Sequence, residues 1–282
     1  MDHHIDHHRN LHTGQPVGRH TGRPVSHDTD ATIRSLGTIL GLWAHPDDET
    51  YLAGGLMAAA ARRGQRVVTI AATPGERGGP PGTDPIRLAR VRRRELRRAM
   101  HHLGVREHAV LSYHDGDCAD VDESVGAADF ASIIEMVRPD TIVTFGPDGM
   151  TGHSDHRAIS RWATSAWRTT GADARLLYVT TTPEFAERNR DVHDRIDAFE
   201  PGLPQCTDRA EIALRLVLDD ATLATKVAAL RAHRSQTYGV EQILGKERYA
   251  RWWDEECFAD AVPGGVTSIG TLPTATGTLA PS

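Results

Sequence analysis

Short apolar runs alternate along this chain with longer amphipathic segments, and this alternation strongly constrains the fold. Apolar, β-branched runs predict strands at 38–43, 66–71, 108–112, 141–145 and 175–180. Helical patterns fall at 50–64, 84–103, 126–138 and 154–169, with further helices near 183–198, 219–234 and 245–257. Strands that alternate with such helices indicate βαβ units. The sequence therefore predicts an α/β fold with a Rossmann-like open sheet, mostly parallel, and helices on both faces.

The two ends of the chain lack this alternation. Residues 1–33 are rich in His, Asp, Arg, Gly and Pro and have almost no apolar side chains, so burial cannot offset the entropy of ordering them. Residues 262–282 are mainly Pro, Gly, Thr and Ser without a helical period. We therefore predict a flexible His-rich arm at 1–33, a single domain at 34–261 and a loose tail at 262–282.

Charge and composition narrow the partners. The formal net charge of −6 over 282 residues gives no electrostatic reason to expect nucleic acid or an anionic membrane. Cys118, Cys206 and Cys257 are too few and too scattered for a disulfide framework, which favours a reducing, cytoplasmic setting. No stretch approaches the roughly 18 apolar residues of a membrane span. We expect a small-molecule substrate and no membrane span, and a homo-oligomer is compatible with the sequence.

Two short segments rich in His and Asp follow predicted strands. Segment 44–49 (Ala-His-Pro-Asp-Asp-Glu) comes directly after the first strand, and segment 152–156 (Gly-His-Ser-Asp-His) follows the fourth. Open α/β sheets bind ligands beyond the carboxyl ends of their strands. We therefore expect the two segments to form one site at that edge of the sheet.

The residue types in these segments suit a metal ion. His45 and Asp48 are three residues apart, a spacing that lets a nitrogen and a carboxylate oxygen converge on one ion, while Asp47 stays free for proton chemistry. Either His153 or His156 can complete the site while the other faces the substrate. Two histidines and one carboxylate leave a coordination position for water, as in catalytic zinc sites. Because such a metal polarises a carbonyl and acidifies its water, the ligand set predicts hydrolysis.

These segments resemble the hallmark motifs of the zinc-dependent LmbE-like, or PIG-L, de-N-acetylases. The resemblance spans about residues 38–258 and also includes 75–78 (Gly-Glu-Arg-Gly), Arg92-x-x-Glu95-Leu96, Asp115, Lys226 and 233–236 (His-Arg-Ser-Gln). It implies that His45, Asp48 and His156 bind one Zn²⁺ per chain, with Fe²⁺ or another divalent ion as the alternative. It also implies removal of an acetyl or other acyl group from the amide nitrogen of an amino sugar or glycoconjugate, with zinc-activated water as the nucleophile.

The same resemblance assigns roles to the remaining site residues. Asp47 is expected to be the general base, and His153 the group that stabilises or protonates the tetrahedral intermediate. Asp155 is expected to orient His153. Arg92 and Asp115 match positions that contact the sugar.

Arg92 also stands out by its place in the 84–103 helix. The apolar stripe of this helix consists of Leu88, Val91, Leu96, Ala99 and Leu103. Six other arginines fall outside the stripe, whereas Arg92 lies within it beside Glu95. Because an unpaired buried charge is costly, this position predicts either a buried Arg92–Glu95 ion pair or a substrate contact.

Several positions leave alternatives open. Ser154 replaces the proline most often found there in the family, and Thr151 stands where some sugar deacetylases of the family carry a tyrosine that assists the reaction. Among the other histidines, His114 is a candidate for the pocket lining, and His233 is open between packing and the pocket wall. The histidines interpreted as surface or packing residues are His101, His102, His108 and His193.

Three other functions compete with deacetylation of a sugar. An amidase that cleaves a larger thiol conjugate would use the same metal chemistry, and the loops at 74–85 and 181–218 would decide between the two. A phosphoester hydrolase usually needs two metals, whereas the sequence offers ligands for one. An inactive sugar-binding module is disfavoured because the ligands, Asp47 and His153 are all present.

Overall fold

The computed structural model describes residues 27–196 and 199–261. Its strands are β1 (Ile39–Trp43), β2 (Val67–Ala71), β3 (Glu107–Val110), β4 (Thr141–Phe145), β5 (Arg175–Thr180), β6 (Leu214–Val217) and β7 (Glu255–Asp260). They form one sheet in the order β3-β2-β1-β4-β5-β7-β6. Strands β1 to β5 pair in parallel, and β7 pairs antiparallel with both β5 and β6. The predicted α/β class with a mostly parallel open sheet is confirmed.

Helices cover both faces of this sheet, and none of those described has the length and hydropathy needed to cross a lipid bilayer. Their bounds are α1 (His27–Ser35), α2 (Asp48–Arg62), α3 (Pro85–Leu103), α4 (Glu123–Val137), α5 (Ser154–Thr170), α6 (Pro183–Arg188), α7 (Arg190–His193), α8 (Asp220–Ala232), α9 (Arg234–Leu244) and α10 (Lys246–Trp252). Helices α4 and α5 pack together, while α2, α3 and α8 form a second group. Because both faces are covered, β1, β2 and β4 are buried throughout, which explains their continuous apolar sequences.

The strand order brings the two predicted motifs together. Strand β1 pairs with β2 on one side and with β4 on the other. The chain runs outward from β1 through β2 to β3 and then returns to β4, so the connections that follow β1 and β4 diverge from a common crevice. Ligands bind at such switch points in open α/β sheets.

Three sequence predictions differ from the structure. The helix predicted at 245–257 is wrong beyond Trp252, because 255–260 forms β7 against β5. Strand β6 was not predicted. The last residues of the predicted arm are helical, since α1 begins at His27 and buries Ile33. The rest of the predicted arm (1–26) and the predicted tail (262–282) lie outside the described residues.

Candidate metal centre and active site

The connection from β1 to α2 carries the first motif in a strained conformation. Helix α2 begins at Asp48, and Asp47 is its N-cap residue, with φ of 134° and ψ of −27°. Residues other than glycine rarely adopt such a conformation. The strain costs roughly 1–3 kcal/mol, and it persists only where surrounding contacts impose it, as at many active sites.

The connection from β4 to α5 carries the second motif. His153 is the N-cap residue of α5, and its Nδ1 accepts a hydrogen bond from the backbone N–H of Asp155 at 3.2 Å. His156 lies in the first turn of the same helix. Because β1 and β4 are neighbours, the His156 ring comes within 5.2 Å of the His45 ring, measured between centroids.

The three predicted ligands converge on one point. His45 Nδ1 lies 3.3 Å from His156 Nε2 and 3.6 Å from Asp48 Oδ2. His156 Nε2 lies 3.4 Å from Asp48 Oδ1. Ligands bound tetrahedrally at zinc distances are about 3.3 Å apart, so this donor set fits a tetrahedral ion and leaves one position open. A second group of the described residues that could hold an ion, His45 with His153 and Asp155, shares His45 and so belongs to the same centre.

The outer nitrogens of both ligand histidines have acceptors. His45 Nε2 lies 3.0 Å from Asp115 Oδ1 and 3.1 Å from Asp155 Oδ2. His156 Nδ1 lies 3.0 Å from the carbonyl oxygen of Gly149. These acceptors hold the ring protons on the outer nitrogens, so the lone pairs of His45 Nδ1 and His156 Nε2 point at the common centre.

The electrostatics of the centre favour the neutral form of His156 and the ionised form of Asp48, which are the forms that bind a metal, whereas they favour protonation of His45. Burial lowers the pKa of His156 to about 4, which leaves a neutral imidazole. Burial opposes ionisation of Asp48, but the two ligand histidines lower its pKa below the usual value. Burial also acts against protonation of His45, yet the surrounding carboxylates raise its pKa well above normal. Such a concentration of carboxylates calls for a cation, and a divalent metal would supply the charge.

Asp47 is separate from the three ligands and is held by Arg92. Arg92 Nη2 donates to Asp47 Oδ1 at 3.1 Å and to the carbonyl oxygen of Pro46 at 2.8 Å, while Nη1 donates to the carbonyl oxygen of Gly75 at 2.9 Å. Burial raises the pKa of Asp47 to about 6, against the opposing effect of Arg92. Asp47 is therefore a carboxylate near neutrality with enhanced basicity, as a general base requires.

Three predicted roles meet different contacts in the structure. Arg92 is 3% exposed and donates to Asp47, the predicted base. Glu95, its predicted alternative partner, instead accepts from the backbone and hydroxyl of Ser235. Asp115 is 6% exposed and bonds to His45 rather than facing the solvent. Both positions were predicted to contact the sugar.

The Asp155 carboxylate also differs from its predicted role of orienting His153. Its Oδ2 accepts from His45 Nε2 and from the backbone N–H of Gly116 at 2.7 Å, and its Oδ1 accepts from the backbone N–H of Cys118 at 3.0 Å. The link to His153 runs through the Asp155 backbone. The Asp155 side chain therefore orients His45, a predicted metal ligand.

Glu49 and His233 form a buried pair that supports the strained backbone of Asp47. The sequence did not predict this pair. Glu49 Oε2 accepts the backbone N–H of Asp47 at 3.0 Å, and Glu49 Oε1 lies 3.2 Å from His233 Nε2. Glu49 and His233 are both almost fully buried. His233, left open above, is therefore a packing residue behind the site. The sequence feature that could have pointed to this pair is the position of Glu49 within the first motif.

An apolar cavity of about 230 Å³ borders the ligands Asp48 and His156. Thr151 also lines it, and the Thr151 hydroxyl lies 3.2 Å from His156 Nδ1. His193, interpreted as a surface or packing histidine, packs against Phe199 and Trp252 and also lines this cavity. His114, the predicted lining candidate, instead has a side chain that is 78% exposed.

Similarity to known proteins agrees with this geometry. The model of the family described as PIG-L, GlcNAc-PI de-N-acetylase, matches residues 40–167. A 1D-myo-inositol 2-acetamido-2-deoxy-alpha-D-glucopyranoside deacetylase from Saccharomonospora viridis is 32% identical over 229 residues, covering 70% of this chain and 84% of the relative. The chain belongs to the PIG-L family. A deacetylase of the same name from Corynebacterium diphtheriae is 30% identical over 227 residues, covering 69% and 74% of the two chains.

A solved structure shares the fold of this PIG-L chain. N,N'-diacetylchitobiose deacetylase from Pyrococcus horikoshii aligns with a TM-score of 0.60 at 20% identity, covering 83% of this chain and 87% of that one. The family match ends at residue 167, so it includes both motifs and β1 to β4 but not the elements from β5 onward.

Proposed function

We propose that this chain is a metal-dependent hydrolase that removes an acyl group from the amide nitrogen of an N-acylated amino sugar conjugate. The observation that carries the proposal is the convergence of His45, Asp48 and His156, whose nitrogen and carboxylate oxygen atoms lie 3.3–3.6 Å from one another, with Asp47 and His153 beside them. The names of the relatives support an N-acetyl amino sugar as the substrate class. Zn²⁺ is the proposed metal, because two histidines and one carboxylate with an open position are typical of catalytic zinc.

The residues around the proposed metal have separate roles. Zn²⁺ held by His45, Asp48 and His156 would supply Lewis acidity that polarises the acyl carbonyl and acidifies a water molecule. Asp47 takes the proton from the attacking water, and the same proton is then available to the amine nitrogen as the C–N bond breaks. Arg92 keeps the Asp47 carboxylate directed into the site.

His153 suits stabilisation of the developing oxyanion. Because its Nδ1 accepts from the Asp155 backbone, the ring proton of the neutral tautomer lies on Nε2. The His153 side chain is exposed, so this N–H can reach a bound carbonyl group. A positioned donor of this kind stabilises the tetrahedral intermediate more than the substrate.

Amine release from a panel of N-acetyl amino sugar glycosides tests the proposal. The zinc-loaded protein should release free amine and acetate, and an Asp47→Asn variant with the same metal content should not. Asp117→Asn is the matched control, since Asp117 is a surface aspartate paired with Arg77. A protein with one bound zinc per chain that releases no amine from any sugar conjugate or thiol conjugate would refute the proposal. Turnover of a phosphoester that requires two metals per chain would do the same.

A further inference from the structure

The cavity beside the metal centre is built by side chains that the chemistry described above does not use. Besides Asp48, Thr151 and His156, its wall includes Tyr51, Phe185, Phe199, Val240, Trp252 and Trp253. The rings pack on one another: Tyr51 lies 4.8 Å from Trp253, and Trp252 lies 4.0 Å from Trp253, between centroids. The wall is therefore a preformed aromatic surface that begins at two metal ligands.

Apart from the predicted ligand Asp48, the carboxylates on this wall are Glu255 and Glu256, and both are already paired. Glu256 accepts from Lys226 Nζ at 2.7 Å and from the backbone N–H groups of Gly55 and Leu56. Glu255 accepts from Arg215 through both of its oxygens. Because these groups are satisfied by the protein, they are not free to bind the hydroxyls of a sugar, which would lose its hydrogen bonds to water on entering.

We infer that this cavity binds the acyl chain of the substrate and that the preferred acyl group is longer than acetyl. The inference rests on the proposed function, because it requires an amide carbonyl at the metal centre. The acyl chain is attached directly to that carbonyl carbon, so it enters an apolar space that begins at Asp48 and His156 without carrying any polar atom with it. If the cavity instead held an apolar group attached to the sugar at a position away from the amide, the hydroxylated ring would have to lie against the same apolar wall.

The volume sets the length of the chain. An apolar protein cavity of about 150 Å³ can hold benzene, which has six carbons. By proportion, the cavity of about 230 Å³ accommodates an apolar group of roughly eight or nine carbons. The polar sugar then occupies the opposite side of the amide, where His153 is exposed.

Much of this wall lies beyond the part of the chain that matches the family model. The match covers residues 40–167, whereas Phe185, Phe199, Val240 and the two tryptophans follow it. The catalytic motifs are thus shared with the family, while the acyl pocket depends on the later elements of this chain.

A chain-length series tests the inference on the unmodified, zinc-loaded protein. The probes are methyl glycosides of glucosamine that carry N-acetyl, N-butanoyl, N-hexanoyl or N-octanoyl groups, together with the octyl glycoside of N-acetylglucosamine. Burial of each methylene should raise kcat/KM about fourfold, so the hexanoyl substrate should exceed the acetyl one by on the order of 10². A series in which acetyl is best would overturn the inference, and so would a gain for the octyl glycoside without a gain for the longer acyl groups.

Two valine variants test whether the preference for acyl length arises in this cavity. Val240→Trp narrows the cavity and should lower the ratio of kcat/KM for hexanoyl over acetyl substrate at least tenfold. Val217→Trp is the matched control, because Val217 is 62% exposed on β6 and does not line the cavity. The unmodified protein decides the question even if Val240→Trp does not fold. Absence of amine release from the whole series would instead contradict the proposed function, whereas turnover that ignores acyl length would contradict only the acyl pocket.

Discussion

Replacing Asp155 by asparagine should weaken metal binding while the protein stays folded. The Asp155 carboxylate accepts from three donors: His45 Nε2 at 3.1 Å and the backbone N–H groups of Gly116 and Cys118 at 2.7 and 3.0 Å. An asparagine has one acceptor oxygen and an NH₂ group, so at least one buried donor faces another donor. A buried polar group without a partner costs about 1–3 kcal/mol, which is the expected loss of stability in the metal-free protein.

The loss of metal affinity follows from the orientation of His45. Removing a partner of a ligand histidine typically weakens metal binding by about 10- to 100-fold. Asp115 still lies 3.0 Å from His45 Nε2 and keeps the ring proton there, so the single variant should be near the tenfold end. The double variant, Asp115→Asn with Asp155→Asn, should reach about 100-fold, or roughly 2.7 kcal/mol of binding free energy.

Competition with a chromophoric zinc chelator measures this change. Urea unfolding of the metal-free proteins separates the change in binding from the change in stability. Asp117→Asn is the control, since it removes a carboxylate from the same loop region without contacting a ligand histidine. A zinc dissociation constant that is unchanged in the double variant, or that rises equally in the control, would refute the role of Asp155 and Asp115.

Three further predictions concern the catalytic groups and the core. Asp47→Asn should lower kcat for amine release by about 10²–10⁴ with the metal content unchanged in elemental analysis, because the amide cannot accept a proton; near-normal turnover would contradict its role as base. His153→Asn keeps an acceptor for the α5 cap but lacks the ring N–H, so kcat should fall by roughly 10²–10³ at unchanged thermal stability; equal activity would exclude His153 as the oxyanion donor. Lys226→Met should destabilise the fold by about 3–5 kcal/mol in urea unfolding, since it leaves the buried Glu256 charge unpaired, and adding Glu256→Gln should recover part of that loss; additive losses would contradict a direct pair.

The parallel half of the sheet was predictable because local sequence and tertiary environment agree there. Strands β1, β2 and β4 are covered on both faces, so burial alone requires the apolar runs visible in the sequence. Strand β7 was missed because its first two residues are Glu255 and Glu256, which resemble the surface of a helix. Both acids are buried in β7, where they form ion pairs with cations that are distant in sequence, Arg215 and Lys226. Such pairing is a tertiary property that no local pattern reveals.

In the candidate site, too, some features could be predicted from local sequence, whereas others depend on tertiary contacts. Spacing and strand position were enough to bring His45, Asp48 and His156 together, since parallel neighbours end at one edge of the sheet. The apolar stripe of α3 correctly implied that Arg92 is buried with a partner. Its partner could not be read from the helix, because Asp47 lies 45 residues away while Glu95 lies one turn away.

Asp47, the proposed general base, and the proposed acyl pocket depend on the same late element of the chain. His233, which holds Glu49 against the strained Asp47 backbone, is the N-cap residue of α9, and Val240 of the cavity wall lies two turns further along that helix. A shift of α9 would therefore alter both the position of the base and the shape of the cavity. A displacement of His233 would break its contact with Glu49, and Asp47 would then lose the support for its strained conformation. Substitutions within α9 that change acyl preference without lowering kcat must therefore act on the cavity alone. The shared catalytic motif thus limits how far the later elements of the chain can vary to suit a different acyl group.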